Sequence, residues 1–306
     1  MQHQIWQILC NGQLLTAPHS QATSLLDLGC GSGVWTAAIA RNFPEINVFG
    51  VDITPPANDF GLPNLTFVTA DMEQTWEFAR EQRDGCDLIV ARVLVSAIRD
   101  WPALIRRCFE HLKPGGWIEI PDISIGTFSD SFDWRDECSL LMRWCQCYRK
   151  GALTNGIDAF ANQKRVNHLT DAKFAHISEK LFKCYLGENA VTEVREKEIA
   201  RLKTRNLLSL LDAVTKTMQD RAQWDALKIT SSELQQLNGD AKSDLHQYSA
   251  SRRYYWNLYV VAHHAKSSYQ ELIDSIAASI RLRNPVDAMP RSPLGVYWRR
   301  RARFRT

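Results

Sequence analysis

Long apolar runs, paired cysteines and a large charge excess are all missing from this 306-residue sequence, and each absence removes a class of protein. No stretch approaches the roughly 18 apolar residues needed to cross a bilayer, which argues against a membrane span. The opening MQHQIWQILCNGQLL lacks a basic run followed by a long apolar segment, which argues against a secretory leader. The eight cysteines, at positions 10, 30, 86, 108, 138, 145, 147 and 184, include no CxxC pair, so zinc-ribbon and thioredoxin-like readings lack support. They read as reduced thiols of a cytoplasmic or nuclear protein, and no metal cluster is evident. The net charge is only +3, and it is unevenly placed. Residues 281–306 hold eight Arg and one Asp, a net of +7, which leaves −4 for residues 1–280. A slightly acidic body argues against nucleic-acid binding by a broad basic face.

What is present is ordinary globular composition, 45% hydrophobic and 23% charged, long enough to bury a sizeable core. Residues 24–28, SLLDL, form a short apolar run that stops at Gly29-Cys30-Gly31-Ser32-Gly33 and is followed by a helical stretch to Arg41. That pattern predicts strand, tight turn, helix. Further apolar runs at 47–51, 65–69, 87–91 and 117–120 are spaced widely enough for crossovers. They predict a parallel sheet covered on both faces, with ligands gathering at the carboxyl ends of the strands. Beyond Pro121 the alternation stops. Residues 131–150 predict an amphipathic helix with Leu140, Leu141, Trp144 and Cys145 on its apolar side. Residues 176–185 and 254–263 predict a closing strand pair, with a polar, mostly helical stretch at 192–250 between them.

A glycine turn between strand and helix lets backbone approach a ligand, and the helix N-terminus adds unpaired N–H groups. The spacing GxGxG with Val34 next departs from a dinucleotide fingerprint, which tilts the reading away from NAD. Asp52, at the end of the second strand, can accept hydrogen bonds from ribose hydroxyls. Asp71, in TADME, can accept one from an adenine amino group while Met72 covers the ring, although Asp at a strand end is also a common turn residue.

Taken together, LLDLGCGSG, VFGVDIT, TADME and HLKPGGWIEI resemble, in order and spacing, the motifs of the class I S-adenosylmethionine-dependent methyltransferases. QHQIWQILCNGQLLTAP, ARVLVSAIRDWPALIRRCFEHLKPGGWIEIPDI and YYWNLYVVAHHAKS narrow the likeness to a fungal branch of secondary metabolism, which holds tailoring enzymes and a global regulator of metabolite clusters. The resemblance implies an α/β, Rossmann-like seven-stranded sheet with helices on both faces and a helical cover. Residues 1–267 would form the methyltransferase domain, with a cofactor-binding core at 20–125. Residues 126–250 would include the acceptor cover and a late strand, and 268–306 would be an extension, basic from about 281. The resemblance runs from about residue 2 to about residue 267.

For S-adenosyl-L-methionine, the resemblance places Gly29, Gly31 and Gly33 against the methionine portion, Asp52 at the ribose and Asp71 with Met72 at the adenine, and counts Asp27, Cys30 and Ile53 among the cofactor-binding residues. Ala91 and Arg92 would flank the sulfonium, with a structural ion-pair role as the alternative for Arg92. Asp122 and His168 are the candidate catalytic bases, each with a structural alternative, since methyl transfer from a sulfonium relies mainly on alignment. The expected acceptor is a hydrophobic small molecule in a pocket of Phe128, Phe132, Trp134, Trp144 and Tyr148, although these residues can equally be core packing. The leading expectation is methyl transfer to an O, N or C atom of a secondary metabolite. The alternatives are a regulator acting through protein partners bound by residues 192–250 or the basic tail, and a repurposed fold catalysing a non-methylating cyclisation.

Overall fold

In a computed structural model of the chain, the residues described are 1–58, 60–74, 76, 85–124, 128–129, 139–220, 229–248, 254–262 and 297–299. The five early apolar runs become β1 (Ser24–Leu28), β2 (Asn47–Asp52), β3 (Leu65–Thr69), β4 (Cys86–Ala91) and β5 (Leu112–Glu119). They form a parallel sheet in the order β3-β2-β1-β4-β5. The fifth strand begins earlier than the predicted 117–120, because Lys113-Pro114-Gly115-Gly116 remains extended; a register shift lies opposite, between Cys86 and Leu88.

The closing pair is also present as β8 (Ser178–Tyr185) and β9 (Tyr254–Ala262), paired antiparallel and extending the sheet beyond β5. Three short strands, β6 (Asp122–Ile123), β7 (Phe128–Ser129) and β10 (Tyr297–Arg299), add to the seven expected from sequence; β6 and β7 pair with β9, and β10 with β8. The basic tail therefore lies outside the described residues except for the β10 backbone.

Strand alternation sorts side chains between two faces. On one face, Leu25, Val48, Leu88 and Val90 pack against Trp35, Ala37, Ile39 and Ala40 of α2 (Val34–Asn42). On the other, Leu26, Leu28, Ile89, Ala91 and Ile118 pack against Trp101, Leu104, Ile105 and Cys108 of α3 (Trp101–His111). The α3 residues follow i, i+3, i+4, i+7 spacing, one apolar stripe of a helix. Asp100 caps α3 by accepting from Ala103 N at 2.8 Å, with Pro102 in the first turn, a cap contributing about 1 kcal/mol.

Helices α1 (Gln2–Leu9), α4 (Leu140–Thr154), α6 (Val194–Asp220) and α7 (Ser231–Tyr248) build a cover over β8 and the carboxyl edge, while α5 (Arg165–Asp171) packs against α3. Helix α6 buries Ile199, Leu202, Leu207, Leu211, Thr215 and Met218, a stripe repeating every three to five residues. Ile5, Trp6 and Leu9 of α1, Leu141 and Trp144 of α4 and Leu245 of α7 complete that core. Helix α4 starts later than the predicted residue 131, and residues 130–138 lie outside those described.

Candidate functional site

The chain runs outward from β1 through β2 to β3 and then returns to lay β4 on the other side of β1. Loops after β1 and β4 therefore diverge at their carboxyl ends and leave a crevice, the usual ligand site of open α/β sheets. The glycine loop follows β1, and Arg92 follows β4.

The loop is held against the end of β2. Gly29 N and Cys30 N both donate to Val51 O, at 2.8 and 3.0 Å, and Gly31 N donates to Asp52 Oδ2 at 2.9 Å. Gly29 lies at φ 70°, where L side chains are strained, and a Cβ there would meet Leu94 Cδ2 at 2.4 Å. Gly33, at φ 69°, begins α2 without a side-chain cap, so the first-turn N–H groups of that helix have no capping oxygen. Cys30 lies between Asp27 and Asp52, and burial foremost pushes its thiol up to about 12, which keeps it neutral.

Asp52 accepts Gly31 N on one oxygen and Thr54 N, at 3.0 Å, on the other. An ionised carboxylate offers about four acceptor sites, so these two backbone donors orient the group and leave it able to accept more. Ile53 beside it is 66% exposed. Asp27 lies on the α2 face, fully buried, and accepts Thr36 Oγ1 at 2.6 Å. Burial outweighs that bond and the nearby Arg92 charge, raising the Asp27 carboxyl to about 7.

Asp71 is exposed and makes its own turn, accepting Glu73 N at 2.8 Å, while Met72 is buried among Leu28, Val51, Trp76 and Ala91. Glu73, which sequence reasoning missed, accepts Arg99 N and Asp100 N at 2.8 and 2.9 Å and so ties this turn to the start of α3. Ala91 is buried at the end of β4. Val93, two residues on, has φ 55°, an outlier for a β-branched residue, with its N–H on Pro121 O at 2.8 Å. Backbone strain of this kind costs about 1–3 kcal/mol and clusters at ligand sites.

Two catalytic expectations need correction. Asp122 is not an accessible base: its side chain is fully buried, pairs with Arg165 at 3.0 Å and accepts Ile123 N at 2.9 Å. It is a structural anchor between the β4 and β5 ends and α5. His168, half-buried on α5, has Arg165, Lys164, Asp171 and Asp158 as its charged neighbours, all from its own helix and the turn before it. Its helix packs against α3. Of the aromatic residues expected to line an acceptor pocket, Trp144 is 2% exposed, donates to Thr215 Oγ1 and stacks on Tyr148, so it is core packing. Phe132 and Trp134 lie outside the described residues, as does the Phe128 side chain.

No group of three metal-ligating side chains occurs among the described residues, and no described helix is long and apolar enough to cross a membrane. A parallel sheet with a glycine loop after β1, an oriented acid after β2 and a crevice beside β4 defines an α/β nucleotide-type binding fold. Residues 1–179, more than half of the chain, match the family model described as Methyltransferase domain. The chain belongs to the class I S-adenosylmethionine-dependent methyltransferase family, whose cofactor is S-adenosyl-L-methionine.

Relatives of this chain include the secondary metabolism regulator laeA of Monascus pilosus, 32% identical over 191 residues, covering 61% of this chain and 50% of that protein. The protein-methionine methyltransferase laeA of Emericella nidulans is 29% identical over 234 residues, covering 76% and 60%. The methyltransferase pytC of Aspergillus terreus is 33% identical over 124 residues, covering 40% and 37%. The chain thus spans 60% or less of the length of these relatives. Among solved structures, mycolic acid cyclopropane synthase CmaA1 in complex with S-adenosylhomocysteine and CTAB superposes with a TM-score of 0.49 at 15% identity, covering 86% of this chain and 84% of that one.

Proposed function

We propose that this protein transfers a methyl group from S-adenosyl-L-methionine to an O, N or C atom of a hydrophobic small molecule of secondary metabolism. The observation that carries the reading is Asp52, whose carboxylate is fixed by Gly31 N and Thr54 N beside the glycine loop and retains acceptor sites for a vicinal diol. The left-handed Gly29, Gly31 and Gly33 leave three of the five loop positions without a side chain, with open space where a Gly31 Cβ would stand, so the residues present fit the cofactor. In this reading Gly29, Cys30, Gly31 and Gly33 lie along the methionine portion, Asp52 and Ile53 hold the ribose, Asp71 and Met72 border the adenine, and Ala91 lies beside the sulfonium.

The cofactor supplies a methyl group already activated by a positive sulfur. The protein then needs to align a nucleophile with it and keep water away. With Asp122 locked in an ion pair, proton removal does not rest on that residue, which favours acceptors that are acidic or already deprotonated. The pytC relative, itself a methyltransferase, supports methyl transfer. The second reading, a methyltransferase-like regulator acting on or through proteins, is favoured by the laeA relatives, one of which matches 76% of this chain.

Calorimetric titration of the full chain with S-adenosylmethionine and S-adenosylhomocysteine, with Asp52→Ala as control, tests the reading. Binding in the micromolar range that the substitution removes supports it, and absence of binding to a folded protein ends it. Mass spectrometry after incubation with phenolic, amine and carboxylic small molecules, or with protein extract, then separates the two acceptor classes by the gain of one CH2.

A further inference from the structure

On the α2 face of the sheet, a narrow pocket opens between α1 and the ends of β4 and β5. His3, Trp6 and Cys10 of α1, Trp35 of α2, Arg92 and Glu119 line it. Its volume of about 20 Å³ holds about one water-sized group, so at most the tip of a ligand enters it. Three polar groups in its wall lack a hydrogen-bond partner among the described residues. The Arg92 guanidinium is half-buried and makes neither hydrogen bond nor ion pair there; it lies over the Trp35 ring at 4.6 Å. His3 Nδ1 and Trp6 Nε1 are both buried without a hydrogen-bond partner, and Trp6 as a whole is 5% exposed. Buried polar groups in native proteins are satisfied in the great majority of cases, so two of them beside an unpaired guanidinium mark a place for an acceptor.

We propose that Arg92, His3 and Trp6 form a carboxylate-binding pocket, filled by the methionyl tail of the cofactor or by the acid group of an acceptor. A guanidinium repels a sulfonium, so this role replaces the expected place of Arg92 beside the sulfur. The planar fork of Arg matches a carboxylate with two parallel hydrogen bonds, and the Trp35 face backs the cation. The strained Val93 next to Arg92 fixes the backbone from which that side chain departs.

The other ionisable groups around the pocket set its selectivity. Glu119 is buried with its carboxylate on Thr16 N and Ala17 N at 3.0 and 3.1 Å, so its charge is occupied but still opposes a dianion such as phosphate. The Cys10 thiol is pushed up to about 11, burial foremost, and is neutral. His3 titrates below its ordinary value through burial and the Arg92 charge, which leaves it neutral at pH 7. Asp27, raised to about 7, carries a partial charge near Arg92. Among the lining residues Arg92 is the cation, set against the occupied Glu119 carboxylate and a partly charged Asp27, a balance that favours a monoanion over a dianion.

The cofactor branch rests on the methyltransferase reading, and the test keeps the two apart. The full chain, Arg92→Gln, Arg92→Lys and His3→Ala are titrated with S-adenosylhomocysteine, with 5′-methylthioadenosine, which has the same nucleoside but no carboxylate, and with phenylacetate. A roughly 10- to 100-fold loss is expected for the carboxylate ligand in Arg92→Gln, with methylthioadenosine unchanged. Loss for S-adenosylhomocysteine identifies the methionyl tail, and loss for phenylacetate alone identifies an acidic acceptor. Arg92→Lys keeps the charge without the fork and is expected to fall between, giving the same test if the Gln variant fails to fold. Changes within about twofold for both carboxylates overturn the pocket while leaving the methyltransferase reading intact. Arg92-dependent phenylacetate binding by a chain that binds neither nucleoside overturns the methyltransferase reading and leaves the pocket standing. Failure of all three ligands to bind the folded wild type overturns both.

Discussion

Arg165 and Asp122 form an ion pair at 3.0 Å in which the side chains are 1% and 0% exposed, with the guanidinium lying 3.8 Å from the Trp101 ring centre. The pair joins three parts of the molecule: Asp122 in β6 just after β5, Arg165 at the start of α5, and Trp101 at the start of α3. Asp122 also accepts Ile123 N and, more distantly at 3.4 Å, Val95 N. The pair therefore fixes the turn after β4, from which Leu94 packs against Gly29. The cover and the glycine loop are linked through this contact.

Removing one partner leaves the other charged group buried alone. Arg165→Met is expected to destabilise the fold by about 3–5 kcal/mol, and Arg165→Met combined with Asp122→Leu by clearly less, because the double change removes the uncompensated charge. Urea denaturation of both variants checks this; a double variant as unstable as the single one would show that packing, not charge, dominates the site.

Asp27 makes stability depend on pH. Its folded-state carboxyl is raised to about 7 from 3.8, burial foremost, so between these values the folded protein binds more protons than the unfolded chain. Stability from this group therefore falls as pH rises from about 4 to about 7 and levels off above that, with a limiting slope of about 1.4 kcal/mol per pH unit. Asp27→Asn is expected to gain on the wild type steadily across that window. Denaturation midpoints at pH 5.0 and 7.5 measure the difference, and a gap independent of pH contradicts the assignment.

Gly29 and Gly31 separate backbone strain from collision. Both have positive φ, 70° and 54°, but a Cβ at Gly31 meets nothing within 4 Å, whereas at Gly29 it meets Leu94 at 2.4 Å. Gly31→Ala is expected to cost about 1–2 kcal/mol from its left-handed backbone alone. Gly29→Ala adds displacement of Leu94 and is expected to cost visibly more and to weaken S-adenosylhomocysteine binding. Thermal unfolding and titration with S-adenosylhomocysteine on both variants read the two effects; equal losses would remove the role given to Leu94.

Much of this molecule follows from local pattern. Short apolar runs, the glycines after SLLDL and the acids at 52 and 71 made the parallel sheet, the loop and its order of motifs legible, because strand, turn and helix signals act over a few residues. The closing pair was legible for the same reason, through β-branched and aromatic enrichment in two separated runs.

Tertiary packing decided what local pattern left open. Asp122 looked like a reactive acid after a strand, and it became an anchor because Arg165, 43 residues later, is folded against it. Trp144 looked like a pocket wall, and became core because α6 supplies Thr215 to its indole N–H. Arg92 gained its unsatisfied guanidinium only when α1 and α2 brought His3, Trp6 and Trp35 around it. Composition and periodicity specify which elements form, since those depend on neighbours in the chain. Burial, ion pairing and the exposure of a donor depend on residues distant in sequence, and only the assembled fold sets them.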